Sequence, residues 1–176
     1  MAKFLLLLLF VLNVELCYGQ KITKKELDNA SLDNYVVENC KVKWVKIFDL
    51  KVNKDNIIKY LFSMINCSIK YSDDSTVLGV FEDISIDGTK YDYLDFLSGP
   101  LYGSFRIDLQ DNSYRVTVSN IREYSNLSNT YLTLEWYALD KNCIFKSVYG
   151  FTKYSGKILE IMFSDWFNYK PQNNKW

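Results

Sequence analysis

The stretch LYGSFRIDL, Leu101 to Leu109, followed by QDNS and then YRVTVSNI, Tyr114 to Ile121, constrains the fold more than any other part of the chain. Leu101, Phe105, Ile107 and Leu109 fall on one side of a two-residue period, and Tyr114, Val116 and Val118 match them on the return. The other side carries Ser104, Arg106, Asp108, Arg115, Thr117 and Ser119. Side chains alternate across a strand, so this pattern specifies an antiparallel pair with one buried and one wet face. Such a sheet needs a covering layer over its apolar side only.

The flanking segments supply more strands and that cover. CKVKWVKIFDL, Cys40 to Leu50, reads as a strand with Val42, Trp44, Phe48 and Leu50 on one side. Asn53 then offers an N-cap, and Ile57, Ile58, Leu61, Phe62 and Ile65 recur at helical spacing, which predicts a helix over about Lys54 to Ile65. CSIKYS and TVLGVFEDISI flank the turn signal Asp73-Asp74 and read as a hairpin closed by Asp87-Gly88. The segment up to Pro100, with Tyr91, Tyr93 and Phe96, is expected as a loop over the core. Leu132, Leu134 and Trp136 alternate, suggesting an extra hairpin between Tyr131 and Tyr149 that turns around Asp140 to Asn142. Ile158, Leu159, Met162, Phe163 and Trp166 form a helical stripe between about Lys153 and Asn168. The expected fold is α+β, with a single antiparallel sheet in the order strand, helix, four strands, helix.

The chain opens with Lys3 and the apolar run Phe4 to Leu12, the pattern of a secretory signal. A run this short falls well below the roughly 20 residues that span a bilayer as a helix, so no stable transmembrane segment is expected after processing. Cys17 follows Val14, Glu15 and Leu16, a poor setting for lipid attachment, whereas Gly19 with Cys17 two places earlier suits cleavage before Gln20. Residues 1–19 are therefore read as a signal peptide, 20–34 as a polar leader, 35–169 as one domain and 170–176 as a polar tail. Loss of Lys3 and Glu15 takes one from each count of 21, leaving 20 basic and 20 acidic residues, so the basic excess of a nucleic-acid binder is missing. Of the four cysteines, Cys40, Cys67 and Cys143 remain, enough for one disulfide and one odd thiol in an oxidising compartment.

The leader, KVKWVKIFDL running into NKDNIIKYLF, and the hairpin GSFRIDLQDNSYRVTVSNI together resemble a secreted Bacteroidetes family, the domain of unknown function numbered 4468. The resemblance covers roughly Lys41 to Ile121 and implies a TBP-like fold, one curved antiparallel sheet with two helices packed on one face. It also implies that Asp74-Ser75-Thr76 matches the short O-glycosylation motif of that phylum, with Ser75 as the acceptor on an exposed turn. In such a topology the strand Lys41 to Leu50 lies at a sheet edge, where two copies could pair, or where Lys41, Lys43 and Lys46 act as gatekeepers. A monomer is favoured over that edge-strand homodimer. Cys40 and Cys67 would then lie four strand steps of about 4.8 Å apart, too far to bridge, leaving Cys143 with either one.

Chemistry is narrowed most by the count of zero histidines, which removes Ser-His-Asp and Cys-His catalysis and histidine zinc sites. Without CxxC spacing a thiolate zinc site has no basis either. Asp73/Asp74 and Asp92/Asp95 could serve a carboxylate-based hydrolase, but Asp73-Asp74 sits where a hairpin must turn and is read as structural. Asp83, Asp87 and Gly88 fall short of a calcium loop, and the sequons at Asn29, Asn66 and Asn126 matter only in a eukaryotic secretory pathway. No catalytic, cofactor or metal residue is assigned. The reading is an exported, non-enzymatic domain of the periplasm or cell surface that binds an envelope protein, peptide or glycan and no nucleic acid. Its docking face is Ser104, Arg106, Asp108, Arg115, Thr117 and Ser119, and the alternative is a carboxylate-based hydrolase or carbohydrate-binding protein.

Overall fold

The computed structural model describes residues 24–64, 66–86, 96–146 and 150–170. The signal, the Asp87-Gly88 turn, Tyr91, Tyr93, the Asp92/Asp95 pair and the C-terminal tail from Pro171 lie outside the described residues. In chain order the elements are α1 (Lys24–Asn29), β1 (Tyr35–Glu38), β2 (Lys41–Phe48), α2 (Lys54–Ser63), β3 (Cys67–Ser72) and β4 (Thr76–Ile84). There follow β5 (Leu101–Leu109), β6 (Tyr114–Ser125), β7 (Thr130–Thr133), α3 (Leu134–Ala138) and a π-helical turn, Phe151–Ser155, that runs into α4 (Gly156–Trp166).

All seven strands form one antiparallel sheet in the order β1-β2-β6-β5-β4-β3, with β7 on the far end of β6. The α+β expectation is met, and four strand steps separate β2 from β3. One placement is corrected: β2 is not an edge, because β1 pairs along it through a two-residue loop. Asn39 and Cys40 both take positive φ, 51° and 56°, which a primed hairpin turn requires. The lysines expected to guard that edge turn to other work, since Lys43 pairs with Glu38 on β1 and Lys46 reaches Glu160 on α4. The second correction lies in residues 131–149: β7 pairs with β6, and Leu134–Ala138 is a helix capped by Thr133 rather than a strand. Among the described residues, the bridge Leu139↔Phe145 is what remains of the expected hairpin. The polar stretch before Asn34 also contains a short helix, α1.

Helices α2 and α4 cover the same face. Asn53 caps α2 by accepting the Asn56 N–H at 2.8 Å, and Ile57 and Leu61 turn into the core. From α4, Ile158, Leu159, Met162 and Phe163 join them against Val42, Trp44 and Phe48 of β2, Phe105 and Ile107 of β5, and Tyr114, Val116 and Val118 of β6. Phe48 stacks on its cross-strand partner Tyr114 at 5.0 Å, and Trp44 meets Phe163 at 5.5 Å. Such ring pairs add about 0.5–1.5 kcal/mol to the area they bury.

One polar cluster crosses this core. Glu160 of α4 is buried, and its carboxylate accepts from Trp44 Nε1 at 2.5 Å, Asn34 Nδ2 at 2.7 Å, Ser164 Oγ at 2.9 Å and Lys46 Nζ at 3.3 Å. Burial, with the Glu160 charge second, holds the nearby Tyr35 phenol well above its ordinary value, and its hydroxyl donates to the Gly156 carbonyl. At the other end of α4, Tyr114 donates to the Phe167 carbonyl at 2.7 Å. Removing the Glu160 carboxylate strands the Trp44 indole N–H in the core. Glu160→Ala is expected to lower unfolding free energy by about 2–3 kcal/mol in urea titrations, and Glu160→Gln, which keeps an acceptor, by less.

Candidate functional site: the open face of the sheet

With α2 and α4 on one side, no described element covers the outward residues of β2, β4, β5 and β6. Ser104, Arg106, Asp108, Arg115, Thr117 and Ser119 all lie on this open face, brought together by the pairs Ser104↔Ser119, Arg106↔Thr117 and Asp108↔Arg115. The charges among them are already engaged. Asp108 accepts from Arg106 Nε at 2.7 Å and from Arg115 Nη2 at 2.9 Å. Partial burial alone would raise its pKa, but the two guanidiniums outweigh that and hold the carboxyl below its usual range.

The neighbouring rows are less polar than the hairpin alone suggests. Val45 sits opposite Thr117, Ile47 opposite Arg115 and Leu78 opposite Arg106, with Tyr71 beyond Leu78. Ile47 is 61% exposed and Tyr71 53%. This row therefore mixes aliphatic and aromatic side chains with paired charges.

At one end the face is shaped into a groove of about 310 Å³. It forms where two β-bulges sit side by side. Glu82 and Asp83 of β4 oppose Tyr102 between the pairs Phe81↔Gly103 and Ile84↔Leu101, and Asn120 and Ile121 of β6 oppose Gly103 between Tyr102↔Arg122 and Ser104↔Ser119. Asp83 and Asn120 take the left-handed conformation, φ 55° and 53°, that lets the extra residue fit. Gly103 is required between them, because the Phe81 ring occupies the space a Cβ would need. The walls are Lys41, Glu82, Tyr102, Ser104, Asn120, Arg122, Thr133 and Glu135 among others.

An aromatic group continues the groove outward. Tyr131 is 5.2 Å from both Tyr102 and Tyr124, edge-on to each, and the Arg122 guanidinium lies 4.6 Å from its ring centre. Desolvation and then the adjacent Tyr131 raise the Tyr102 phenol above its ordinary value. None of these groove residues except Ser104 belongs to the docking set read from the sequence. The available signals were Gly103 in mid-strand and the loss of alternation after Val118.

The remaining sequence candidates fall elsewhere. Cys40 and Cys143 form a disulfide with Cα atoms 5.1 Å apart, which ties the β1–β2 turn to the loop after α3 beside the groove. Cys67 is a free thiol that burial pushes up to about 11, so it stays protonated near neutrality. Asp73 accepts from the Ser75 and Thr76 N–H groups and the Tyr71 hydroxyl, and the Ser75 amide bond leads in pulling its carboxyl below the usual range. Ser75 is exposed on that turn and Thr76 is buried. Among the described residues no group of three or more His, Cys, Asp or Glu could hold a metal ion. No described helix is long and apolar enough to cross a membrane.

One antiparallel sheet of seven strands with α2 and α4 packed on one face makes this an α+β domain. No family model and no curated protein matches the chain. Among solved structures it is similar to a DUF4468 family protein from Bacteroides ovatus, at 19% identity over 82% of this chain and 96% of that one, with a TM-score of 0.50. It is also similar to a TBP-like protein from Parabacteroides distasonis, at 16% identity over 75% of this chain and 94% of that one, with a TM-score of 0.44. The first likeness is one of fold, and it agrees with the family resemblance carried by the strand, helix and hairpin sequences.

Two measurements probe the disulfide and the open face. The disulfide closes a separation of 103 residues, so replacing both Cys40 and Cys143 by serine should cost about 2–4 kcal/mol in thermal or urea unfolding under oxidising conditions. Because the folded pKa of Asp108 is depressed, its contribution is full above the unfolded carboxyl value of about 3.9 and is lost as pH falls through the folded value. The stability gap between the native chain and Asp108→Asn should be about 1 kcal/mol or less near pH 7 and shrink below about pH 4, measured by urea titration across pH.

Proposed function

We propose that the chain is an exported, non-enzymatic binding domain that docks a component of the cell envelope on the open face of its sheet. The observation that carries this is the one-sided cover: α2 and α4 bury one face, and Val45, Ile47, Leu78 and Tyr71 are left among paired charges on the other. Export is supported by the leader composition and by the Cys40–Cys143 disulfide, a bond that persists in oxidising compartments.

Four described carboxylates are committed to the fold, which supports binding over hydrolysis. Asp73 closes a turn, Asp108 is held between two arginines, and Glu160 is enclosed in the core. Glu123 is also buried and accepts from the Leu97 N–H, the Ser98 hydroxyl and the Gly99 N–H, which fixes the strand entering β5. Each is spent on structure. With no histidine in the chain, a general base near neutrality would have to come from elsewhere.

The full chain expressed in its own cell should appear outside the cytoplasm with Gln20 at its N-terminus. A photo-crosslinking residue placed at Ile47 on the open face should yield one discrete envelope adduct, and the same residue at Lys59, exposed on α2, should yield none. A cytosolic chain with its leader intact, or equal labelling from both positions, would overturn the reading.

A further inference from the structure

We infer that the groove at the bulged end of the open face is a binding subsite for a neutral oligosaccharide, an inference that rests on the docking function proposed above. Its volume of about 310 Å³ falls at the small end of ligand pockets, room for a short run of sugar rings rather than a folded partner. The charged walls balance, with Lys41 and Arg122 against Glu82 and Glu135, so the groove offers no net attraction to a polyanion or polycation.

Part of its hydrogen-bonding capacity is spent within the fold, where Ser104 Oγ donates to the Ser119 carbonyl and Thr133 Oγ1 accepts the Trp136 N–H. Glu135 accepts the Val42 N–H and Asn120 donates to Ser104 Oγ. Among the described residues the side chains of Lys41, Glu82 and Arg122 make no hydrogen bond or ion pair. Two cations that donate and a carboxylate that accepts, fixed around one groove, match a ligand rimmed by hydroxyls, which both donate and accept.

The aromatic group supplies the other half of such recognition. A pyranose has an apolar C–H face beneath its polar rim, and tyrosine likewise joins an apolar body to a polar tip. Tyr102 and Arg122 form part of the wall, and Tyr131, 45% exposed, packs against both. T-shaped contacts among Tyr102, Tyr124 and Tyr131 hold the three rings in place before a ligand arrives, which reduces the ordering cost of binding.

An extended peptide is less well served. Peptides that add to a sheet pair along a free strand edge, whereas most of this groove's wall, Glu82, Tyr102, Ser104, Asn120 and Arg122, is presented from the face of β4, β5 and β6, which lie inside the sheet. Side-chain contacts with hydroxyls remain the chemistry on offer.

The test is titration calorimetry of the purified protein with cellohexaose, maltohexaose, mannohexaose and chitohexaose, beside hexagalacturonate and a mixed-sequence decapeptide. At least one neutral hexasaccharide should bind saturably and more tightly than the acidic sugar or the peptide. Tyr131→Ala and Glu82→Gln should each weaken it by at least about tenfold, while Lys59→Ala, exposed on α2 across the sheet, should change it by less than about twofold. Glu82 is exposed, so its substitution reports on binding even if the tyrosine change perturbs β7. Saturable binding unaffected by both groove substitutions would overturn the inference, as would tighter binding of hexagalacturonate or the peptide. If no neutral sugar binds while a crosslinker at Ile47 still captures an envelope partner, the subsite falls and the docking function stands; loss of both removes both.

Discussion

The fold depends on how Glu160 fastens α4 to the sheet. Hydrophobic burial drives a helix onto an apolar face but does not choose its rotation or its position along the strands. The buried carboxylate does both. Trp44 and Lys46 sit two residues apart on one face of β2 and Asn34 precedes β1, so satisfying these three donors restricts where α4 can sit, while Ser164, one turn further along α4, holds the carboxylate from its own helix. Tyrosines secure the two ends, Tyr35 at the Gly156 carbonyl and Tyr114 at the Phe167 carbonyl. Tyr114 also accepts from the Tyr169 N–H, and burial keeps its phenol protonated above the ordinary range. These are directional contacts laid through an otherwise apolar layer, where an unmatched donor is costly.

A sheet pinned so firmly on one side expresses its irregularities on the other. Gly79 and Gly103 sit against the rings of Phe105 and Phe81, so in adjacent strands a large side chain covers a glycine across the pair. The interlock lets both rings lie close to the backbone beneath the open face. Beside Gly103, the bulges on β4 and β6 each insert one residue, and the surface between them becomes the groove. The same packing that fills the core therefore shapes the open face.

What the sequence made legible follows from how far each pattern repeats. The paired run in β5 and β6, the Asn53 cap and the stripe of α4 are visible because each repeats over several residues. β6 runs on to Ser125, beyond the expected Ile121, because the bulge at Asn120 shifts the inward phase from Val118 to Ile121 and Glu123. A strict two-residue count stops where that phase breaks. β1 offers only YVVE, four residues without a repeat, so β2 read as an edge. In α3 the spacing of Leu132, Leu134 and Trp136 imitates a strand, and the local choice went to the Thr133 side chain, which accepts the Trp136 N–H. The groove joins β2, β4, β5, β6 and β7, and no local pattern announces residues gathered from such distances.

The fold label invites comparison with proteins that grip DNA on a curved sheet, and the electrostatics of this face argue against that use. Affinity for a duplex comes chiefly from cations that neutralise phosphates, and minor-groove binders add apolar wedges that open base steps. Here the two arginines at the centre of the face are both drawn to Asp108, which leaves that trio a single net positive charge. Lys43 is turned to Glu38, and the groove sets two acids against two bases. At Arg106, Arg115 and Lys43 a phosphate chain would have to break existing ion pairs to gain its own, and at Lys41 and Arg122 it would lie beside Glu82 and Glu135. A neutral ligand faces no such penalty, because the paired charges can stay as they are while unspent donors, acceptors and ring faces make the contact.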